Sequence, residues 1–388
     1  MGSVPRHPPP LPVSFSGDRG EYRRLVTRGA GLELITVGFY RFWLATDIRR
    51  HLWSNTLIDG DAAEYTGRGR ELLIGFLFAL AILVPIYLAY FLVGLEVERF
   101  KAFASIPLFL FFYLFGQFAI FRARRYRLTR TVWRGVRFWM DGSGWAYAMR
   151  AALWGLLALI TLGLALPWRE AALERYKMRH CYYGDLQGSF EGRGWEFFQR
   201  GWWLWLLAVI SLVAMSLTKF LPGTPLLAVL AAPFIYGAFK AVEWRWWISG
   251  IRFGRVRLES SLLRGALVGL YWKAIGWLLL IVALFVGYLF AGAALIASTS
   301  HKPIANFFTP ADLQGSISMI VLALIGYLAF VLALNVVLRV YLLRDVWARV
   351  LASTNLHGIE AAANVSAKGD LASALGEGLA DGLDVVGF

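Results

Sequence analysis

The residues best suited to chemistry in this 388-residue chain are arginines. Residues 121–142 read FRARRYRLTRTVWRGVRFWMDG and hold seven of them: Arg122, Arg124, Arg125, Arg127, Arg130, Arg134 and Arg137. Tyr126, Trp133 and Trp139 are interleaved, and Asp141 is the one acid. A guanidinium fork grips phosphate, and aromatic rings stack on bases or settle at headgroup level. The same composition therefore suits nucleic acid, a substrate anion, or an anionic membrane surface. Apolar runs flank the stretch on both sides, and similar basic segments follow other apolar helices. That placement favours anchoring, to which each basic residue near an anionic leaflet contributes about 1 kcal/mol. The candidate patch is Arg122, Arg124, Arg125, Arg127, Arg134, Arg137 and Trp133. Its expected partners are membrane lipids, with anionic headgroups on the cytoplasmic side; no nucleic acid is expected.

Other chemistry is sparse. There is no GxSxG, HExxH or CxxC, so neither a nucleophile elbow nor a zinc helix is indicated. Cys181 is the sole cysteine, which excludes an intrachain disulfide, and the five histidines lack ligand spacing. Asp59 and Asp61 flank Gly60 in a turn signal, where Asp serves local hydrogen bonding. Gly67-Arg68-Gly69 and Gly192-Arg193-Gly194 precede helices that open with Glu71 and Glu196. Backbone amides there could hold a phosphate. No Lys-Ser/Thr follows, so turn and capping use is favoured. No catalytic, cofactor-binding or metal-ligating residue is assigned, no cofactor is expected, and an enzyme is the least favoured class.

The elements that must carry these residues are mostly membrane helices. The chain is 58% hydrophobic and 16% charged, with mean hydropathy +0.57. That is too few charges to cover a soluble surface of this size. Six segments are long and apolar enough to cross about 30 Å of hydrocarbon: 72–95, 102–121, 202–218, 225–242, 274–297 and 316–338. Two more, 31–46 and 145–168, contain charges and are ambiguous. With six crossings, one face receives only Arg99, Lys101, Lys219 and Lys302, and the other 35 of the 39 basic residues fall on the opposite face. That bias places both termini in the cytoplasm. If both ambiguous segments crossed singly, the seven-arginine stretch would lie outside. Six crossings plus two interfacial or re-entrant helices are therefore favoured over eight crossings.

An internal repeat is legible at an offset of 125. Thr36, Gly38 and Trp43 match Thr161, Gly163 and Trp168. Arg50 matches Arg175, and Gly67, Arg68, Gly69 and Glu71 match Gly192, Arg193, Gly194 and Glu196. The expected organisation is a disordered arm (1–11), a first membrane repeat (12–142), a second (143–262), a C-terminal helical pair (263–343) and a cytoplasmic tail (344–388). The fold class expected is all-α polytopic, a duplicated helical bundle with short cytoplasmic β-hairpins. Alternation such as Val132, Arg134, Val136 and Phe138 suggests strands in hairpins that pair with one another, to which the VSFSG near the start adds a strand. Residues 369–388 carry leucines at spacing four and suggest an acidic helix.

FSGDRGEYRRL, TVGFYRFW, RRHLWSNTLIDGDAAEYTG and the closing GEGLADGLDVV resemble the YjgN family of bacterial inner-membrane proteins, whose function is unknown. The resemblance covers nearly the whole chain and implies an integral inner-membrane protein; it supplies no reaction, substrate or site residues. Two function classes stay open: transport or handling of a small solute or lipid, and a non-enzymatic scaffold whose basic face binds anionic lipid or a partner.

Overall fold

A computed structural model describes residues 10–96, 101–216, 223–300 and 317–373. The expected arm at 1–9 and most of the expected C-terminal acidic helix, 374–388, lie outside the described residues. The helices are α1 (Arg19–Ile35), α2 (Arg41–Ser54), α3 (Gly69–Glu96), α4 (Lys101–Thr129), α5 (Gly144–Ile160), α6 (Leu166–Arg179), α7 (Gly194–Ser216), α8 (Thr224–Gly250), α9 (Val268–Ser300) and α10 (Ile317–Val337). A π-helical segment, Leu338–Arg344, leads from α10 into the short α11 (Asp345–Leu351). Among the described residues, six helical stretches are long and apolar enough to cross a membrane: Gly69–Leu92, Ile106–Thr129, Gly194–Ser216, Leu226–Gly250, Val268–Ser298 and Ile320–Leu351. This is a multi-pass membrane protein.

It is not all-α. Strands β1 (Leu11–Pro12), β2 (Ser14–Phe15), β3 (Thr56–Ile58), β4 (Asp61–Tyr65), β5 (Thr131–Trp133), β6 (Val136–Met140), β7 (Cys181–Tyr183), β8 (Leu186–Phe190), β9 (Ile251–Phe253), β10 (Val256–Ser260) and β11 (Thr354–His357) form one sheet. Its order runs β1-β11-β10-β9-β8-β7-β6-β5-β4-β3-β2, with antiparallel neighbours. β1 and β2 are separated only by Val13, whose N–H donates to Thr354 O (3.0 Å). The two ends of the order are thus one short stretch of chain, and the sheet closes nearly into a barrel. Closure leaves no long free edge to recruit another chain. Leu11–Pro12, expected in the disordered arm, forms part of this seam, and Thr354–His357, expected in a tail, pairs with β10. Sequence patterning suggested short hairpins but not one eleven-stranded, nearly closed sheet, because each strand is two to five residues long and its pairing with the next hairpin leaves no local signal.

Turn chemistry sets the register. Asp59-Gly60 (φ 54°, 82°) and Arg134-Gly135 (φ 49°, 74°) both take left-handed backbone, as a two-residue turn matching strand twist requires. Arg134 is therefore a turn residue, and the alternation at Val132, Arg134, Val136 and Phe138 spans β5, a turn and β6. One face of the sheet is buried as a core of Val13, Trp133, Tyr183, Val256 and Leu356, joined by Ile359 and Ala362 from the segment after β11.

Strand pairing also dictates how the helices run. α1 and α2 lie between β2 and β3, which pair with each other. α3 and α4 lie between the paired β4 and β5, α5 and α6 between β6 and β7, α7 and α8 between β8 and β9, and α9 to α11 between β10 and β11. Every helical excursion therefore leaves the sheet and returns beside its starting point. The ambiguous segments 31–46 and 145–168 are not single rods: each breaks and folds back, at 36–40 and 161–165. Their helices have 17 and 14 residues in both cases, about 26 and 21 Å, short of the roughly 30 Å hydrocarbon. Each helix packs on the next, and α10 returns to α1, so the helical layer is a closed ring as well.

Candidate functional site

The seven-arginine stretch covers the end of α4, β5, a turn and β6, and most of its charge is used inside the protein. Arg124 pairs with Glu174 of α6 (3.0 Å). Arg125 Nε donates to Met140 O (2.6 Å), and Arg130 Nε pairs with Glu71 of α3 (2.9 Å). Arg134 bridges Asp59 (2.8 Å) and Asp61 (2.5 Å) across the β4–β5 pair. Arg137 donates to Thr129 O, and burial pulls its pKa below the usual arginine value. Arg122 lies over the Phe118 ring (5.6 Å), Arg127 is half-buried, and Trp133 is buried in the sheet core.

Arg124 and Glu174 anchor a buried ionic core. Lys177, one turn along α6, forms a second ion pair with Glu174, and Met178 Sδ accepts from Arg124 (3.3 Å). Trp247 of α8 lies under the Arg124 guanidinium (5.9 Å). Burial alone would raise the Glu174 pKa, but Arg124 and Lys177 outweigh it and hold the carboxyl at about 2. Cys181, beside this core, is fully enclosed; burial pushes its thiol up to about 11, which makes it an unreactive packing residue.

The repeat positions make matching contacts. Thr36 Oγ1 donates to Leu32 O (2.8 Å) and accepts from Tyr40 N–H (2.9 Å); Thr161 Oγ1 donates to Leu157 O (2.8 Å) and accepts from Ala165 N–H (3.1 Å). Gly38 and Gly163 follow with the same φ of 87°. Arg50 donates to Gly67 O (2.8 Å) and Arg175 to Gly192 O (3.1 Å). A Cβ on Gly69 would come 2.8 Å from Trp43 Cα, and one on Gly194 2.8 Å from Trp168 Cα, so only glycine lets these helices touch. Arg68 and Arg193 are exposed between those glycines. The match ends at the acids: Glu71 accepts from Arg130 and from Tyr126 Oη (2.7 Å), whereas Glu196 is exposed.

The α5–α6 excursion borders a groove. Its tip, Leu162, offers its carbonyl to Trp205 Nε1 (3.3 Å), eleven residues from the start of α7. That places the tip about 17 Å along α7. Beyond it, α7 and α8 border a cavity of ≈ 620 Å³. Leu164, Leu166, Leu204, Ala208, Ala232 and Phe239 are among its apolar walls. Glu170 and Glu243 bring carboxylates to it. Glu170 pairs with Arg169, and Glu243 with Lys240 (2.6 Å). Burial pushes the Glu170 pKa above its ordinary value, against the opposing pull of Arg169.

Sequence reading missed this groove because its residues come from three helices and none is unusual alone. The usable signal was a length mismatch: 14 residues in α6 beside 23 in α7 and 27 in α8. Among the described residues no group of three or more potential metal ligands is assembled. A family model described as "Bacterial protein of unknown function (DUF898)" matches residues 10–223. No curated protein and no solved structure matches the chain.

Proposed function

The chain belongs to the DUF898 family, the YjgN-like bacterial proteins of unknown function, and from that membership and the groove we propose that it is an inner-membrane lipid-handling protein that seats an acyl chain beside α7 and α8. One observation carries this reading: an apolar cavity of ≈ 620 Å³, bordered by a helical tip too short to cross. Its size lies within the roughly 300–1,000 Å³ usual for small-ligand sites. Apolar walls suit a hydrocarbon chain, and Lys240, Glu243, Arg169 and Glu170 give a charged end suited to a polar headgroup.

In this proposal the sheet lies on the cytoplasmic side with both termini, as the sorting of basic residues favours. The α1–α2 and α5–α6 excursions dip into one leaflet; Val37 and Leu162 at their tips are 87% and 82% exposed, which suits burial in lipid. The matched contacts at Thr36/Thr161, Gly69/Gly194 and Arg50/Arg175 support an internal duplication at the 125-residue offset. The scaffold reading, with a basic face on anionic lipid, is weakened by the Arg124–Glu174–Lys177 core, which turns these charges inward.

Two measurements test this. In nanodiscs containing a phospholipid with a photoactivatable acyl chain, adducts should concentrate on α7 and α8, and Ala208→Trp with Ala232→Trp should reduce them to the level of the other spans. Adducts spread evenly over all six spans would remove the groove reading. For orientation, Ser189→Cys should label only from the cytoplasm and Leu162→Cys from neither side, with the buried Cys181 silent. Labelling of Leu162→Cys from the periplasm would mean that the short excursion crosses.

A further inference from the structure

A second, smaller cavity of ≈ 200 Å³ opens beside α7 and α8, on the side of the turn that joins β10 to α9. Its walls are Ala241, Val242 and Leu262, and three arginines converge on it: Arg200 from α7, Arg245 from α8 and Arg264 from the turn. These three are 45 and 19 residues apart in sequence, so no local run of charge marks them. Arg200 and Arg245 are half-buried and Arg264 is exposed. Among the described residues, no carboxylate lies within ion-pair distance of any of the three.

What distinguishes these three is that they line one cavity together without an acid among them. Arg19, Arg124, Arg130, Arg134, Arg252 and Arg339 all meet an Asp or Glu. The nearby acids are oriented elsewhere: Glu243 pairs with Lys240, and Glu196, one turn before Arg200, does not reach it. Three arginines around one cavity bring like charges together, and their repulsion is strongest where burial removes screening water. An anion that accepts from all three would relieve it. A carboxylate has two oxygens and one charge; a phosphate group offers three or four oxygens, matches the guanidinium fork, and carries up to two charges.

We propose that Arg200, Arg245 and Arg264 form a phosphate-binding site at the sheet-proximal ends of α7 and α8. Arg200 is six residues from the start of α7 and Arg245 five from the end of α8, so the site sits where those helices meet the sheet. The phosphate comes from a lipid headgroup at that depth or from free inorganic phosphate; the recognition chemistry is the same. The site shares no lining residue with the acyl-chain groove and stands whether or not that groove holds lipid.

The test uses the full-length protein in phosphate-free maltoside micelles. One arm titrates inorganic phosphate by calorimetry. The other adds phosphatidic acid, with diacylglycerol of the same chains as control, and reads retained lipid by native mass spectrometry. Binding in the first arm assigns free phosphate; binding of phosphatidic acid but not diacylglycerol assigns a headgroup. In whichever arm binds, Arg245→Gln and Arg264→Gln should each weaken binding at least tenfold, whereas Arg257→Gln, which removes the same charge from an exposed strand position, should leave it unchanged. Arg264 lies in an exposed turn, so its variant keeps the fold, as a tryptophan-fluorescence melt would verify. Binding in neither arm, equal retention of diacylglycerol, or unchanged affinity in both arginine variants overturns the proposal.

Discussion

Two sets of arginines in this protein look alike by charge and differ in surroundings. The set at 121–142 is dense in sequence and largely consumed by internal partners: Glu174, Glu71, Asp59, Asp61 and two backbone carbonyls. The set at Arg200, Arg245 and Arg264 is dispersed in sequence, meets at one cavity, and has no acid beside it among the described residues. The difference teaches that density of charge along a chain reports where positive groups are made, not where they remain available. A basic stretch leading into a strand finds its acids on neighbouring helices and turns. A ligand-accessible cluster needs the opposite, cations brought together without them.

If that contrast is sound, breaking a paired arginine costs stability and breaking an unpaired one does not. The largest effect is expected in the ionic core. Glu174→Ala leaves the buried Arg124 and Lys177 without their acid and should destabilise by about 3–5 kcal/mol in denaturant titrations in micelles, with Arg124→Ala costing less because Lys177 still pairs with Glu174. The double variant should lose less than the sum, because the two residues act as a unit. Next comes Glu71→Ala, which strips the acceptor from Arg130 Nε and Tyr126 Oη and should cost about 2–3 kcal/mol in the same assay.

A smaller, pH-dependent effect follows from Glu174. Its folded pKa is held at about 2, below the ordinary 4.5. A depressed carboxyl contributes its full stabilisation above the unfolded value and loses it as pH falls toward the folded one. The melting temperature should therefore fall between pH 4.5 and about 2, and Glu174→Gln should flatten that part of the profile. The smallest effects are at exposed positions. Arg134→Gly loses two surface ion pairs, about 0–1 kcal/mol, but relieves a left-handed arginine at φ 49°, so its melt should stay close to wild type. Arg264→Gln should shift stability by less than about 0.5 kcal/mol while changing anion binding. A large loss of stability there would mean that Arg264 has a structural role and would erase the contrast.

Much of the architecture was legible. The long apolar runs found the helices that became α3, α4, α7, α8, α9 and α10, because about 20 consecutive apolar residues match the thickness of a bilayer and exceed what a strand or a soluble core helix needs. The Thr-x-Gly pairs at 36–38 and 161–163 were visible as matches, and the structure supplies their reason: both build the turn on which a short helical excursion reverses. Glycine at 69 and 194 was likewise visible, while the tryptophan backbone that demands it was not. A wider version of that signal was available: FSG, YTG and FEG each place an aromatic ring over a glycine two residues on, at Phe15–Gly17, Tyr65–Gly67 and Phe190–Gly192. Reading it would have put the first residues of the chain in the same scheme as the rest.

By itself the sequence determined that the chain enters a membrane, which stretches are long enough to cross, and where the backbone must turn. Hydropathy, length and glycine geometry act locally, and local rules survive without knowledge of the neighbours. The tertiary structure alone decided that 31–46 and 145–168 fold back, since reversal becomes evident once β2 pairs with β3 and β6 with β7. It also decided which arginines find acids and which are left around an open cavity. Such pairings join residues tens to hundreds of positions apart, as Arg19 and Asp345 illustrate, and a distance of 2.8 Å between such groups is a property of the closed ring, not of any segment in it.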